Sequence, residues 1–236
     1  MRKAGELIKE YLREGQLAAN RSEPIGTGTY GVVYPSDVPG NVMKQMTSPD
    51  HINTVIKEAD LQTIAAERGM APRVVGVETF PGGIGNRIEM QDVRTNFEPH
   101  GPDGKWPGGR DAVRINQQLG ELALKGVRLE DRHSGNVVYN KMTGRPMHID
   151  FGIGGRVEGS EQVATLAMAT SDGFTAAGLS DVASIYRATV MDLLEGGDVA
   201  DAMNVAKQGF AQLQKLKGPV ERPVPMFNAV TKEQLT

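Results

Sequence analysis

The chain has 236 residues, enough for one two-lobed domain or two small ones. Hydrophobic residues make up 39% and charged residues 23%, the balance of a soluble globular protein, and a net charge of −3 weighs against a nucleic-acid-binding surface as its main role. There is no cysteine, which excludes disulfides, thiolate zinc sites and a cysteine nucleophile.

No apolar run approaches the length of a transmembrane helix. The Met-Arg-Lys start has no apolar core behind it and is not a secretory signal, so a cytoplasmic chain is expected. Residues 3–19 have Leu7, Ile8, Tyr11 and Leu12 at helical spacing among charges. They predict an amphipathic helix that packs on the first lobe, or else binds a partner. Ile25-Gly26-Thr27-Gly28-Thr29-Tyr30-Gly31 follows. Its glycine spacing also occurs in dinucleotide-binding loops, but those lead into a helix, whereas Val32-Val33-Tyr34 is β-branched and aromatic and reads as a strand. Glycines between two strands form a hairpin loop whose backbone can lie against phosphates without Cβ obstruction.

After the turn Pro35–Gly40, Asn41–Met46 reads as the next strand and carries Lys44. Ser48-Pro49-Asp50 signals a helix start, and Ile52, Val55, Ile56, Ala59 and Ile64 recur at helical spacing up to Gly69, with Glu58 in mid-helix. Ala71–Val77 and Asn86–Val93 predict two strands around Pro81-Gly82-Gly83. Thr95–Gly109 is rich in Gly and Pro and reads as a loop, in which Trp106 is either a contact or a cap on a core. Residues 111–125 are helical by pattern, through Val113, Leu119, Leu122 and Leu124, and end at Gly126.

Asp131 and Asn136 then stand five residues apart and lead into the apolar run Val137-Val138-Tyr139. Asn140–Gly144 has turn chemistry, and Met147-His148-Ile149 ends on Asp150-Phe151-Gly152. Such a hairpin gathers three oxygen-bearing side chains, and hard cations such as magnesium take oxygen ligands that they share with phosphates.

The pattern D-x-x-x-x-N followed by D-F-G resembles the catalytic loop and metal-binding signature of the protein-kinase fold. Asp131-Arg132-His133…Asn136 with His148-Ile149-Asp150-Phe151-Gly152 is similar in spelling to the phosphatidylinositol kinases and their protein-kinase relatives. Ordinary protein kinases have His-Arg-Asp, and here Leu129 and Glu130 occupy the first two places. The resemblance covers roughly residues 23–155. It implies an α+β, two-lobed, kinase-like fold: an N-terminal helical extension (1–22), a small β-rich N-lobe (23–94), an abbreviated helical C-lobe (95–218) and an extended tail (219–236).

The resemblance also implies roles. The amides of Gly26, Gly28 and Gly31 would cover the phosphates of ATP, Lys44 held by Glu58 would meet the α- and β-phosphates, and Met90 would border the adenine, whose edge meets the backbone from Gln91 to Val93. Asn136 and Asp150 would hold Mg2+. Asp131 would accept or orient the proton of the attacking hydroxyl, and His133 belongs to the site in the lipid-kinase spelling. Against these stand structural readings: Lys44 as a solvated strand lysine, Glu58 as an exposed helix glutamate, His133 as a strand-entry residue. The activity implied is an ATP- and Mg2+-dependent phosphotransferase acting on protein Ser/Thr hydroxyls. It is of the minimal type found in bacterial effectors and phage-encoded kinases, in the cytoplasm or delivered into a host cytoplasm by a non-Sec route. A lipid or small-molecule kinase is the alternative, as is a non-catalytic or AMP-transferring kinase fold. Phosphoinositide kinases carry a basic segment after the D-F-G, where this chain has only Arg156.

Beyond Gly152 there is no Ala-Pro-Glu. Gly154–Gly159 reads as a short flexible link, and Thr165–Thr175 contains hydroxyls but no evident activation segment, which implies activity without phosphorylation of residues 153–180. Helices are predicted from Ser180 and from Asp198, joined by Gly196-Gly197 as an antiparallel pair. Pro219, Pro223 and Pro225 predict an extended tail.

Overall fold

The structure, a computed structural model, describes residues 23–28, 31–47, 52–80, 85–99, 109–132 and 134–218. The expected N-terminal helix, Thr29-Tyr30 of the glycine loop, the helix-start signal at Ser48, Pro81–Gly83, Trp106, His133 and the extended tail lie outside the described residues. The architecture is α+β, with a strand-rich unit and a helical unit, as expected. The packing units do not follow the chain: the first comprises 1–99 and 136–155, the second 100–135 and 156–236.

In the first unit a five-stranded antiparallel sheet has the order β1-β2-β3-β5-β4, built from β1 (Gly26–Thr27), β2 (Gly31–Pro35), β3 (Asn41–Met46), β4 (Val74–Glu78) and β5 (Arg87–Gln91). Along β3, Val42, Lys44 and Met46 are buried and alternate with Asn41, Met43 and Gln45, the two-residue period that gives a strand two faces. Val42, Met46, Ile88 and Met90 form a core with Val55 and Ala59 of helix α1 (Ile52–Ala66). Ile56 was expected on the apolar side of α1, but it is 56% exposed. The helix buries Glu58 and Gln62 instead, so its inner face is partly polar. The Gln62 carboxamide donates to the Pro72 carbonyl at 2.8 Å and lies 3.4 Å from the Met90 sulfur.

A second sheet in this unit has the order β6-β8-β9, from β6 (Phe97–Pro99), β8 (Val137–Asn140) and β9 (Pro146–His148). The hairpin β8–β9 falls where the sequence predicts it, in the register Val137↔His148. Strand β6 lies within the expected loop 95–109. It is too short to show a period, and its pairing with β8, Phe97↔Asn140, creates it. The expected flexible link after Gly152 likewise contains a short strand, β10 (Gly154–Arg156).

The second unit contains strand β7 (Val127–Leu129) and helices α2 (Gly109–Leu124), α3 (Gly159–Ala176), α4 (Ser180–Glu195) and α5 (Val199–Leu213). Its core joins Val113 and Ala123 to Val163, Leu166, Phe174, Tyr186, Val190, Phe210 and Leu213, with the Phe174 and Tyr186 rings edge to face at 5.9 Å. The predicted helices near 111–125, from Ser180 and from Asp198 are present. The Asp198 carboxylate caps the last by accepting from the Asp201 amide at 3.0 Å. Helix α3 was not expected. Its buried face includes Ala167, Ala169, Thr170, Ser171 and Gly173, small residues that blur an apolar period.

Those small residues let the helices approach closely. A Cβ on Gly120 would lie 2.2 Å from the Phe210 ring, one on Gly173 2.5 Å from Leu213, and one on Gly209 2.2 Å from the Tyr186 ring. Gly209→Ala is therefore expected to destabilise, although alanine ordinarily gains about 1 kcal/mol over glycine in a helix. Tyr186 cannot easily yield, since its hydroxyl donates to the Ala206 carbonyl at 3.2 Å. Overpacking of this kind costs roughly 1–3 kcal/mol. Chemical denaturation of Gly209→Ala should show the net loss, and a gain in stability would mean that the α4–α5 contact is looser than these distances indicate.

Candidate active site

Strand β3 is central in its sheet, and its alternation turns Lys44 inward with Val42 and Met46. Helix α1 presents Glu58 to the same side. The Lys44 Nζ donates to Glu58 Oε1 at 2.6 Å and to Asp150 Oδ1 at 2.9 Å. Lys44 is 6% exposed and Glu58 1%, so neither is the solvated side chain that a bland reading gives it. Burial weighs against the ammonium, yet the carboxylates of Glu58 and Asp150 together hold the Lys44 pKa above its ordinary range. Burial pushes the Glu58 carboxyl up while Lys44 pulls it down.

Asp150 follows β9, and its Oδ1 also accepts from the Gly152 amide at 3.0 Å. A Cβ on Gly152 would stand 3.2 Å from that oxygen, so glycine leaves the carboxylate room. Between them Phe151 is only 1% exposed, and its backbone hydrogen-bonds Glu58. His148, two residues earlier, is buried, and burial lowers its pKa to about 4, which keeps the imidazole neutral near pH 7.

The glycine loop connects β1 and β2. The Gly28 amide donates to the Gly31 carbonyl at 2.8 Å. A Cβ on Gly31 would fall 2.8 Å from the Gln45 carbonyl oxygen and 3.4 Å from the Lys44 stem, so β2 can cross at this height only with glycine here. Gly26 pairs with Val33 at the sheet edge.

Met90 is buried at the end of β5, beside Gln62. The Gln91 amide donates to the Arg73 carbonyl and the Asp92 amide to the Gly40 carbonyl, at 2.9 and 2.8 Å. The Val93 carbonyl accepts from Asn96 and Phe97, which closes a turn directly after this strip. Asn136 ends the 3-10 turn Ser134–Asn136, and its carbonyl accepts from the Ile149 amide at 3.0 Å, fixing it across the hairpin from the residue before Asp150.

Thus Lys44, Glu58 and Asp150 form one bonded cluster, with Gly31 beside the Lys44 stem and Asn136 held through the β8–β9 hairpin. Asp131 belongs to the second unit. There Arg132 reaches α3, with its guanidinium 3.5 Å from the Asp172 carboxylate and 3.1 Å from the Met168 sulfur. Sequence reasoning omitted Phe151 and Arg132 as supporting residues. Both lie inside the motifs that drew attention to their neighbours. Among the described residues there is no group of three His, Cys, Asp or Glu side chains able to hold a metal ion, and no helix is long and apolar enough to cross a membrane.

No protein-family model and no curated protein matches the chain. Among solved structures it is similar to the kinase domain of Mycobacterium tuberculosis PknI, crystallised as a double mutant. The identity is 15% and the TM-score 0.43, over 83% of this chain and 94% of that one. A likeness this distant says nothing about activity. The kinase-like description rests on the order of elements: glycine loop, strand lysine, helix glutamate, hairpin and Asp-Phe-Gly.

Proposed function

We propose that the chain is an ATP- and Mg2+-dependent phosphotransferase that acts on a protein Ser/Thr hydroxyl. The observation that carries this reading is the Lys44 ammonium, buried between Glu58 and Asp150 at 2.6 and 2.9 Å. A cation placed under a glycine hairpin and tethered to two carboxylates suits the neutralisation and positioning of phosphates, which is most of what phosphoryl transfer requires.

In this reading the amides of Gly26, Gly28 and Gly31 lie over the phosphates, and Lys44 meets the α- and β-phosphates. The adenine edge rests on the Gln91–Val93 backbone beside Met90. Asp150 and Asn136 supply oxygen donors of the hard type that Mg2+ prefers, and phosphate oxygens and water complete its shell. When bound, that ion neutralises the charge developing on the transferred group. Asp131 orients the acceptor hydroxyl. The reading as a protein kinase rather than a lipid kinase rests on the segment after Gly152, which offers Arg156 as its single cation up to α3. The hydroxyls expected to lack a switch role are engaged inside α3, where Thr165, Thr170 and Thr175 bond the carbonyls of Glu161, Leu166 and Ser171. That supports activity without phosphorylation of residues 153–180.

The deciding experiment is incubation with ATP labelled at the γ- or the α-phosphate. Transfer of the γ-label to protein hydroxyls is expected. Transfer of the α-label would make the chain an AMP transferase, and transfer of neither would leave a nucleotide-binding module. A thermal shift should separate the metal from the nucleotide: ATP should stabilise the protein with Mg2+ present, and the shift should vanish in Asp150→Ala. An equal shift in that variant would remove the metal assignment.

A further inference from the structure

Strand β7 alternates as β3 does, with Val127 and Leu129 buried and Arg128 between them on the other phase. Just beyond it the Arg132 amide donates to the Glu130 carbonyl at 3.0 Å, which closes a three-residue turn with Asp131 at its centre. Among the described residues only glycines have a positive φ, so this is the inverse γ-turn common at strand ends. A turn this small has a single internal hydrogen bond and opens readily by itself. The place of Asp131 therefore depends on what holds the residues on either side of it.

Both sides are tied to helix α3. The Arg128 guanidinium pairs with the Glu130 carboxylate at 2.5 Å and with that of Glu161, near the start of α3. The Arg132 guanidinium lies 3.5 Å from the Asp172 carboxylate and 3.1 Å from the Met168 sulfur. Glu161, Met168 and Asp172 share one face of α3, because Met168 stands two helical turns beyond Glu161 and Asp172 one turn further. Glu161 and Asp172 are about 16 Å apart along the axis. The two arginines thus straddle the turn and meet the same helix face at two heights. The opposite face of α3 is seated in the core through Val163, Leu166 and Phe174, which makes it a firm support. Every residue in this arrangement belongs to the second unit. The Arg132 and Asp172 side chains are 28% and 44% exposed, and pairs so open to solvent contribute little to global stability. Their effect is local.

We propose that Arg132, held by Asp172, is a positioning residue for Asp131, and that Arg128, shared between Glu130 and Glu161, anchors the other shoulder of the same turn. The inference rests on the reading of Asp131 as the group that orients the acceptor hydroxyl. Such a group must stand within hydrogen-bond reach of the proton it takes, and a small displacement costs rate and not nucleotide binding. Neither arginine has to touch the acceptor, since each acts through the backbone at Asp131.

The test is a set of variants in single-turnover transfer. Arg132→Gln and Asp172→Asn should each slow transfer about fivefold, while nucleotide affinity and the denaturation midpoint stay near those of the wild type. The double variant should be no slower than Arg132→Gln alone, because the two residues form one tether. Added to Asp131→Asn, Asp172→Asn should cost nothing further, a result that general loosening of the structure would not give. Wild-type rates in Arg132→Gln, losses that multiply in the double variant, or an undiminished loss in the Asp131→Asn background each overturn the proposal. A wild type that transfers nothing, or an Asp131→Asn that transfers like it, defeats the phosphotransferase reading and the positioning role with it. The tether is read separately, by amide hydrogen exchange. The Arg132 amide should exchange about fivefold faster in Asp172→Asn, and unchanged exchange overturns the tether whatever the activity.

Discussion

Replacing Asp131 by Asn is expected to lower single-turnover phosphoryl transfer by about a hundredfold or more, the usual contribution of a general base, while nucleotide affinity stays near that of the wild type. The reason lies in where the interaction operates. A carboxylate that orients the acceptor hydroxyl acts in the transition state and touches ATP hardly at all, so its loss appears in turnover and not in binding. Asparagine keeps the shape and one oxygen but cannot take the proton. The measurement is a nucleotide titration beside a single-turnover assay on the same protein. If Asp131→Asn turns over like the wild type, the catalytic role moves elsewhere and the nucleotide-binding reading replaces it.

Lys44→Ala should behave differently, and part of its effect should be on stability. Glu58 has a side chain fully shielded from solvent, and Lys44 is its charge partner at 2.6 Å. Removing one member of a buried pair typically costs about 3–5 kcal/mol, because the remaining charge is left without compensation. The variant should therefore unfold earlier in denaturant, bind nucleotide more weakly and turn over more slowly. The loss should also depend on pH with a definite sign. Without Lys44, burial and the neighbouring Asp150 carboxylate outweigh the Phe151 backbone hydrogen bond and hold the folded-state pKa of Glu58 above the unfolded value. A group raised in this way favours the fold below its unfolded pKa and loses that contribution as pH rises through the folded value. The deficit of Lys44→Ala relative to wild type should thus shrink as pH falls toward the ordinary carboxylate range. Lys44→Met combined with Glu58→Gln should recover much of the stability at neutral pH and none of the activity. A deficit independent of pH would show that lost packing, and not the stranded carboxylate, is responsible.

The parts of the site that could be read from the sequence are those whose chemistry is local. Gly26–Gly31 needs its glycines before a β-branched strand, Lys44 sits on the inward phase of that strand's successor, and Asp150-Phe151-Gly152 closes a hairpin with its own turn. Glu58 was readable as a position, yet its burial was not, because the helix period pointed at Ile56, which the fold leaves in solvent. Helix α3 was missed for a related reason. It packs through Ala167, Ala169, Thr170 and Gly173, and close helix contact depends on small side chains that carry little hydrophobic signal. Strand β6 exists through its partner, and three residues ending in Pro99 have no pattern of their own to read.

The pairing of β6 with β8 has a consequence for the order in which the molecule is made. The first unit draws on 1–99 and again on 136–155, with a stretch of the other unit intervening. As the chain emerges during synthesis, β6 has no partner until Val137–Asn140 has followed it, and Lys44 and Glu58 lack Asp150 for longer still. Contacts so far apart in sequence must first overcome the entropy of closing the intervening loop. Helices α3, α4 and α5, by contrast, are consecutive and meet their neighbours as soon as each is complete. The nascent chain therefore passes through a stage in which the five-stranded sheet can exist while the strand at residues 97–99 still has an open edge, a state suited to protection by a chaperone or to mispairing with another copy.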